Sequence, residues 1–294
     1  EAETRDRLFY WEAPFEDEAI QTGLDFSLRF SGITWGDAST AIAYEFWWPT
    51  RKVITSAFTP GQPDSKTVLF DRSYQDRYSN PGDFATTYNE YGERTLLKGK
   101  DGQTLYLTGQ GASPEGNRPF IRTYHLKTKE TEELWRSEAP FYEIPALILD
   151  AEAGLAVTRR ESPDEPPNYF IRNWKTGALN PLTNFPHPYP ALAGVDKEVV
   201  QYKRGDGLDL QGNLYLPKGY DPKNDGPLPV IMWAYPREFK SKGDAGQVQG
   251  SPYEFVRLYW GSPLYWLTKG YAVFDRVAMP IVGEEEEEIG RAHV

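Results

Sequence analysis

Short runs of alternating apolar and polar residues, separated by Gly, Pro, Asn and Asp, fill the first two thirds of the chain. A two-residue period puts every second side chain on the same face, so these runs predict half-buried strands. Three of them share a pattern: Val68-Leu69-Phe70-Asp71-Arg72, Pro119-Phe120-Ile121-Arg122-Thr123-Tyr124 and Tyr169-Phe170-Ile171-Arg172-Asn173-Trp174, with Phe70, Phe120 and Phe170 fifty residues apart each time. The second and third run on into polar turns, Lys127-Thr128-Lys129 and Lys175-Thr176-Gly177, and then into short strands, Thr131–Trp135 and Ala178–Leu182. Strand, polar turn and strand predict a hairpin. A repeat of roughly forty to fifty residues built from short strands is the pattern of propeller blades, none of which can bury both faces without neighbours. A β-sandwich with accidental spacing is the alternative. Residues 1–195 have room for about four blades, fewer than the roughly seven or eight of a large closed propeller, which suggests a start that is missing.

After Val195 the pattern changes. Glu198–Lys203 and Leu208–Leu216 read as two strands around a Gly205-Asp206-Gly207 turn, and Pro217–Pro229 as a loop rich in Pro, Gly and Asp. Val230-Ile231-Met232-Trp233-Ala234 is continuously apolar, as expected of a strand buried on both faces. From Pro252 to Leu267 the residues Phe255, Leu258, Tyr259, Leu264 and Tyr265 recur at about helical spacing. That predicts a helix broken near Gly261-Ser262-Pro263 and ended by Gly270. Tyr271-Ala272-Val273-Phe274 is a second buried strand, and strand, helix, strand is how an α/β sheet begins. The expected organisation is a partial β-propeller over 1–195, the start of an α/β domain over 196–283, and a separate tail over 284–294.

Composition narrows the chemistry. Aromatic residues make up 15% of the chain, and 26 Gly with 24 Pro supply many turns, which fits a large all-β portion. The net charge of −11 argues against nucleic acid as the main partner, because phosphate binding needs a basic face. There are no cysteines, hence no disulfides and no thiolate metal sites. Only three His occur, none in H-x-x-x-H or H-E-x-x-H spacing, which argues against a zinc hydrolase. No run of about 18 apolar residues is present, so no membrane span is expected. The chain opens Glu-Ala-Glu-Thr, so either a leader was removed or the start is missing. At the other end an acidic run, Glu284 to Glu288, precedes Ile289-Gly290-Arg291-Ala292-His293-Val294. Those six residues resemble the translation of a sequencing-library adapter, which would make them non-biological; a natural acidic tail is the alternative.

Leu228-Pro229-Val230-Ile231-Met232-Trp233-Ala234-Tyr235-Pro236-Arg237-Glu238-Phe239 is similar to a segment of the prolyl oligopeptidase (S9) serine peptidases. The nearest likeness is to their glutamyl-endopeptidase-like and dipeptidyl-peptidase-like branch. Gly205–Tyr220, Gly250-Ser251-Pro252-Tyr253-Glu254-Phe255 and Pro280-Ile281-Val282-Gly283-Glu284 carry the same resemblance. More loosely, so do Trp35-Gly36-Asp37, Trp47-Trp48 and Thr50-Arg51. The resemblance implies a β-propeller capping an α/β-hydrolase domain, no cofactor, and hydrolysis of oligopeptides by a Ser-Asp-His triad. It also implies that Tyr235, the Tyr just after the buried strand, donates its hydroxyl to the oxyanion hole, where a donor stabilises the tetrahedral intermediate. Arg237 and Glu238 are expected in a loop at the C-terminal end of that strand, where α/β sheets place ligand sites. Arg237 either grips a substrate carboxylate bidentately or pairs internally with Glu238 or an acid of the propeller.

The nucleophile is not in this sequence. No G-x-S-x-G elbow occurs. Ser251 and Ser262 are each followed by Pro, which lacks the N–H that the residue after the nucleophile must supply. His125, His187 and His293 offer no base, and no pair of carboxylates stands out for glycoside chemistry. The expectation is a fragment of a serine peptidase whose Ser, Asp and His lie outside this chain. The alternatives are a propeller-type module gripping a peptide or glycan with Trp47, Trp48 and Trp174, and an acyl esterase on the same hydrolase domain. Oligomeric state is open, and the family leans weakly toward export.

Overall fold

The computed structural model describes residues 3–11, 13–16 and 20–283. The suspected tail and His293 lie outside the described residues. Two compact units are present, one made of residues up to 109 with 121–134, the other of 110–120 with the residues from 135 on.

The first unit begins with an antiparallel pair, β1 (Asp6–Trp11) and β2 (Ile20–Phe26). A four-stranded antiparallel sheet follows, in the order β3 (Arg29–Asp37), β4 (Thr40–Trp47), β5 (Lys52–Thr59), β6 (Gln62–Ser73). A second four-stranded sheet contains β7 (Asp83–Phe84), β10 (Thr104–Gly109), β11 (Phe120–His125) and β12 (Thr131–Arg136), with a small hairpin, β8 (Thr86–Tyr88) and β9 (Arg94–Leu96), inserted after β7. Strand β4 shows why the pattern works. Ala41 and Ala43 pack with Leu24, Phe26 and Phe58 on one face. Ile42, and Tyr44 beside it, pack with Phe84, Leu105, Leu107 and Tyr124 on the other. A sheet covered on both faces is what a stacked-sheet repeat requires. Glu45 lies buried in the same strand, held by Lys66 Nζ at 2.6 Å and the Leu28 amide at 3.0 Å.

In the second unit β13 (Tyr142–Asp150), β14 (Leu155–Glu161), β15 (Asn168–Asn173) and β16 (Leu179–Pro181) form a third antiparallel meander. Buried Glu143 ties three of these strands together. It takes Arg172 Nε and Nη2 at 2.5 and 2.7 Å and the Thr158 hydroxyl at 2.7 Å, the bidentate geometry that lets a buried pair offset its desolvation. Both expected hairpins form, β11 with β12 and β15 with β16. Phe120 and Phe170 both lie in the third strands of their sheets, but Phe70 lies in a fourth strand. The β8–β9 insertion, a separate two-stranded sheet, lengthens the chain between β7 and β10 and throws the first member of the trio out of phase.

The last sheet is mixed. β17 (Asp196–Lys203) and β18 (Asp209–Leu216) form a hairpin, β18 pairs antiparallel with β20 (Ala272–Val282), and β20 pairs in parallel with β19 (Val230–Phe239) at the edge. Between β19 and β20 stand one helical turn, α1 (Lys242–Ala245), and a 3-10 helix, Pro263–Lys269, ended by Gly270 at φ 81°. The expected helix over 252–260 does not form. Its backbone groups are taken by tertiary partners instead of the i to i−4 ladder: Phe255 N–H donates to Glu161, and the carbonyls of Ser251 and Glu254 accept from Lys197 Nζ at 2.9 and 3.2 Å. The whole chain is thus mostly β-sheet with few helices among the described residues.

Candidate active site

Tyr235 and Arg237 lie on one side of β19, two residues apart. Arg237 and Glu238 were expected in a loop after the strand, but the strand continues through them to Phe239. Its apolar partner run in β20 extends equally far, so Tyr235 pairs with Ala278, Arg237 with Pro280 and Phe239 with Val282. Phe239 is buried against Leu208 and Ala245, which anchors the strand's end. Tyr235 stays 78% exposed, so its hydroxyl is free to meet a group brought to this edge. Arg237 Nη1 donates to Gln249 Oε1 at 2.7 Å, a neutral partner. Of the two uses expected for Arg237, this contact matches neither, and a neutral amide leaves its charge uncompensated by that contact.

The two Ser-Pro hydroxyls act as local caps. Ser251 Oγ accepts from the Tyr253 amide and Ser262 Oγ from the Leu264 amide, each at 3.3 Å, and both serines are buried. His125 Nδ1 accepts from the Thr128 amide at 3.1 Å in the β11–β12 turn. His187 Nδ1 accepts from the Tyr189 amide at 3.0 Å, its ring edge-on to Phe255 at 5.0 Å. None of these groups reaches another in a nucleophile–base arrangement. Arg5 lies over Trp47 at 4.0 Å and Arg51 over Trp48 at 3.5 Å, so each ring has a face already occupied, which weakens the aromatic-platform alternative. Among the described residues no three His, Asp or Glu gather as a metal site, and no helix is long and apolar enough to cross a membrane.

Sequence reading missed a cavity of about 280 Å³ in the second unit, lined by charged groups from strands far apart in the chain. Its floor is Glu161, the last residue of β14 and 1% exposed. Glu161 accepts from Arg257 and from the Phe255 amide, and Arg159 Nε stands 3.5 Å from the same carboxylate. Arg276, held at φ 51° in β20, points its guanidinium at Glu254 across 3.6 Å. Asp275 is 3% exposed and its Oδ1 has no hydrogen-bond partner. Burial pushes its carboxyl above the ordinary carboxylate range, against the opposing pull of the Arg276 amide and guanidinium. Two tyrosines complete the wall. Burial pushes Tyr142 up to about 12 and raises Tyr215 as well. Behind the wall, burial holds Lys197 down to about 8. A signal was present in the sequence: an acid closing a strand immediately after Arg159-Arg160 is a candidate buried ion pair.

The chain matches no protein-family model. Over its whole length it is 39% identical to the Arabidopsis thaliana protein named "Probable glutamyl endopeptidase, chloroplastic" and 40% identical to the protein of that name from Oryza sativa subsp. japonica. It spans about a third of the length of these relatives, 32% and 33%. Among solved structures it aligns with dipeptidyl peptidase 4 of Porphyromonas gingivalis at a TM-score of 0.50 and 13% identity, over 96% of this chain and 43% of that one. That is a likeness of fold alone.

Proposed function

We propose that the chain belongs to the prolyl oligopeptidase (S9) family of serine peptidases, on its glutamyl-endopeptidase-like branch, and that it is the part of such a peptidase that supplies the oxyanion donor. The intact protein hydrolyses peptide bonds in oligopeptides, at glutamyl residues as its relatives' name says of them. The four-stranded sheets within 1–195 are blades of a propeller, with β1–β2 belonging to a fourth, and 196–283 is part of the α/β-hydrolase domain. Ser, Asp and His come from residues outside these 294, since no G-x-S-x-G elbow is among them.

The observation that carries the proposal is the 39% identity of this chain to a third of a probable glutamyl endopeptidase, together with an exposed Tyr235 on a strand paired in parallel with β20. In the mechanism a serine alkoxide from outside this chain attacks the scissile carbonyl. The Tyr235 O–H donates to the carbonyl oxygen as it gains charge. Such a donor is worth about 10²–10³ in kcat, because it is aimed before the charge develops. Arg237, which among the described residues donates to the neutral Gln249, steers an acidic substrate segment from the same side. The test is turnover by the intact protein of a quenched fluorescent oligopeptide containing glutamate, beside an ester of the same acid and a folded protein carrying the same sequence. Cleavage of the short peptide but not the folded protein is expected. Turnover of the ester alone would make it an esterase and overturn the reading.

A further inference from the structure

We propose that Arg159 and Arg276 are the residues that select an acidic side chain, and that the cavity they line receives the glutamyl residue of the substrate. This rests on the peptidase reading for its occupant, and on the cavity itself for its chemistry. At about 280 Å³ the space is at the small end of ligand sites, which run from about 300 Å³ upward, and suits one side chain rather than a length of peptide.

Three guanidiniums and three carboxyls line the cavity, but they are not equally committed. Arg257 is used by Glu161, which also holds the Phe255 amide. Arg159 stands 3.5 Å from that carboxylate with a buried Nε that makes no hydrogen bond. Arg276 reaches Glu254 only at 3.6 Å. Two planar donor forks therefore line one cavity with donors their neighbours do not saturate, the geometry that matches a carboxylate. The third acid, Asp275, offers the complementary defect: an acceptor, Oδ1, buried without a donor. A buried polar atom left unpaired is costly, so it marks a place where a partner is missing. A glutamyl residue answers both defects at once. Its side-chain carboxylate takes the two guanidiniums and its backbone N–H donates to Asp275. Glutamine offers an amide oxygen to the same forks but no charge. A phosphate answers the guanidiniums but has no N–H for Asp275.

Two measurements test this. In the first, the 294-residue chain is titrated calorimetrically with N-acetyl-glutamate N-methylamide, its glutamine analogue and inorganic phosphate. The glutamate compound should bind at least about tenfold more tightly than the other two, and Arg159→Gln and Arg276→Gln should each abolish the difference, as loss of one charge-assisted contact predicts. Equal binding of all three, or tighter binding of phosphate, overturns the proposal. In the second, the intact protein is assayed on peptide pairs differing only in Glu or Gln at the scissile residue. Each variant should lower kcat/KM for the Glu peptide about 10- to 100-fold and for the Gln peptide by much less, so that the Glu preference collapses, with Arg159→Lys restoring part of it. Arg276→Gly guards against misfolding, because φ 51° suits glycine; a folded Arg276→Gly protein that keeps full Glu preference overturns the assignment. If the chain selects glutamate but the intact protein cleaves nothing, the pocket stands and the peptidase reading falls. If the intact protein cleaves and its Glu preference survives every variant, the peptidase reading stands and the pocket falls.

Discussion

Replacing Glu161 by glutamine removes the one charge on which the Arg257 contact and the nearby Arg159 both depend, while keeping an oxygen for the Phe255 amide. The size of the effect follows from exposure. Glu161 is 1% exposed, whereas the Arg257 side chain is 47% exposed. A fully buried pair broken on one side costs about 3–5 kcal/mol, and an exposed pair about 0–1 kcal/mol. Here the carboxylate is dry and the guanidinium half wet, so Glu161→Gln should cost about 2–3 kcal/mol, in the range of a hydrogen bond to a charged group. Glu161→Ala should cost about 1–2 kcal/mol more, because the Phe255 N–H is then buried without a partner. With a urea m-value of about 2 kcal/mol/M for a unit of this size, the glutamine variant lowers the midpoint by about 1 M. The assay is urea unfolding followed by tryptophan fluorescence on Glu161→Gln, Arg257→Gln and the double variant. The coupling energy of that cycle should be about 1.5–2 kcal/mol, and a value under about 0.5 kcal/mol, the scatter of independent sites, refutes the reasoning.

Tyr235→Phe in the intact protein should lower kcat by about 10²–10³ with KM little changed; steady-state kinetics showing less than about a threefold loss would remove Tyr235 from the oxyanion hole. Lys197 gives a pH signature. Its folded value, held to about 8 by burial, lies below its ordinary 10.5, so the unfolded chain binds the extra proton and stability rises as pH climbs from about 8. That rise should stop near pH 10, where Tyr142 and Tyr215, raised by burial, begin to oppose it. Melting curves between pH 7 and 10 should therefore slope upward in the parent and lie flatter in Lys197→Met; equal slopes would show that Lys197 is not the group responsible. Gly111→Ala should cost upward of about 2 kcal/mol, since left-handed backbone and steric overlap add: φ is 59° and the new Cβ would fall 1.9 Å from the Arg118 carbonyl oxygen. Urea unfolding within about 0.5 kcal/mol of the parent would contradict the backbone described there.

The strands were legible where local pattern decides. The polar turns at Lys127–Lys129 and Lys175–Gly177 join the expected hairpins, and the apolar runs at 230–234 and 271–274 each became a strand. The run at 230–234 is not buried on both faces as expected: β19 stands at the edge of its sheet, with Val230, Met232 and Trp233 exposed. Two elements were misread because distant partners decide them. The helical spacing of 252–260 lost to Glu161 and Lys197, which take its backbone groups. The extension of β19 through Phe239 depends on β20 running alongside to Val282. The cavity was illegible for the same reason on a larger scale: its defining ion pair joins residues 96 positions apart. The search for a pair of carboxylates also passed over Glu45, Glu143 and Glu161, all buried with cations. An acid inside or closing a strand of alternating apolar residues was the available sign.

Treating the intact protein with a fluorophosphonate and locating the adduct by mass spectrometry tests most directly whether this chain is the oxyanion half of a serine peptidase. The expected result is one labelled serine outside residues 1–294, with peptidase activity lost in proportion and labelling slowed in Tyr235→Phe. A label on Ser251 or Ser262, or peptide hydrolysis that survives full labelling, would contradict it.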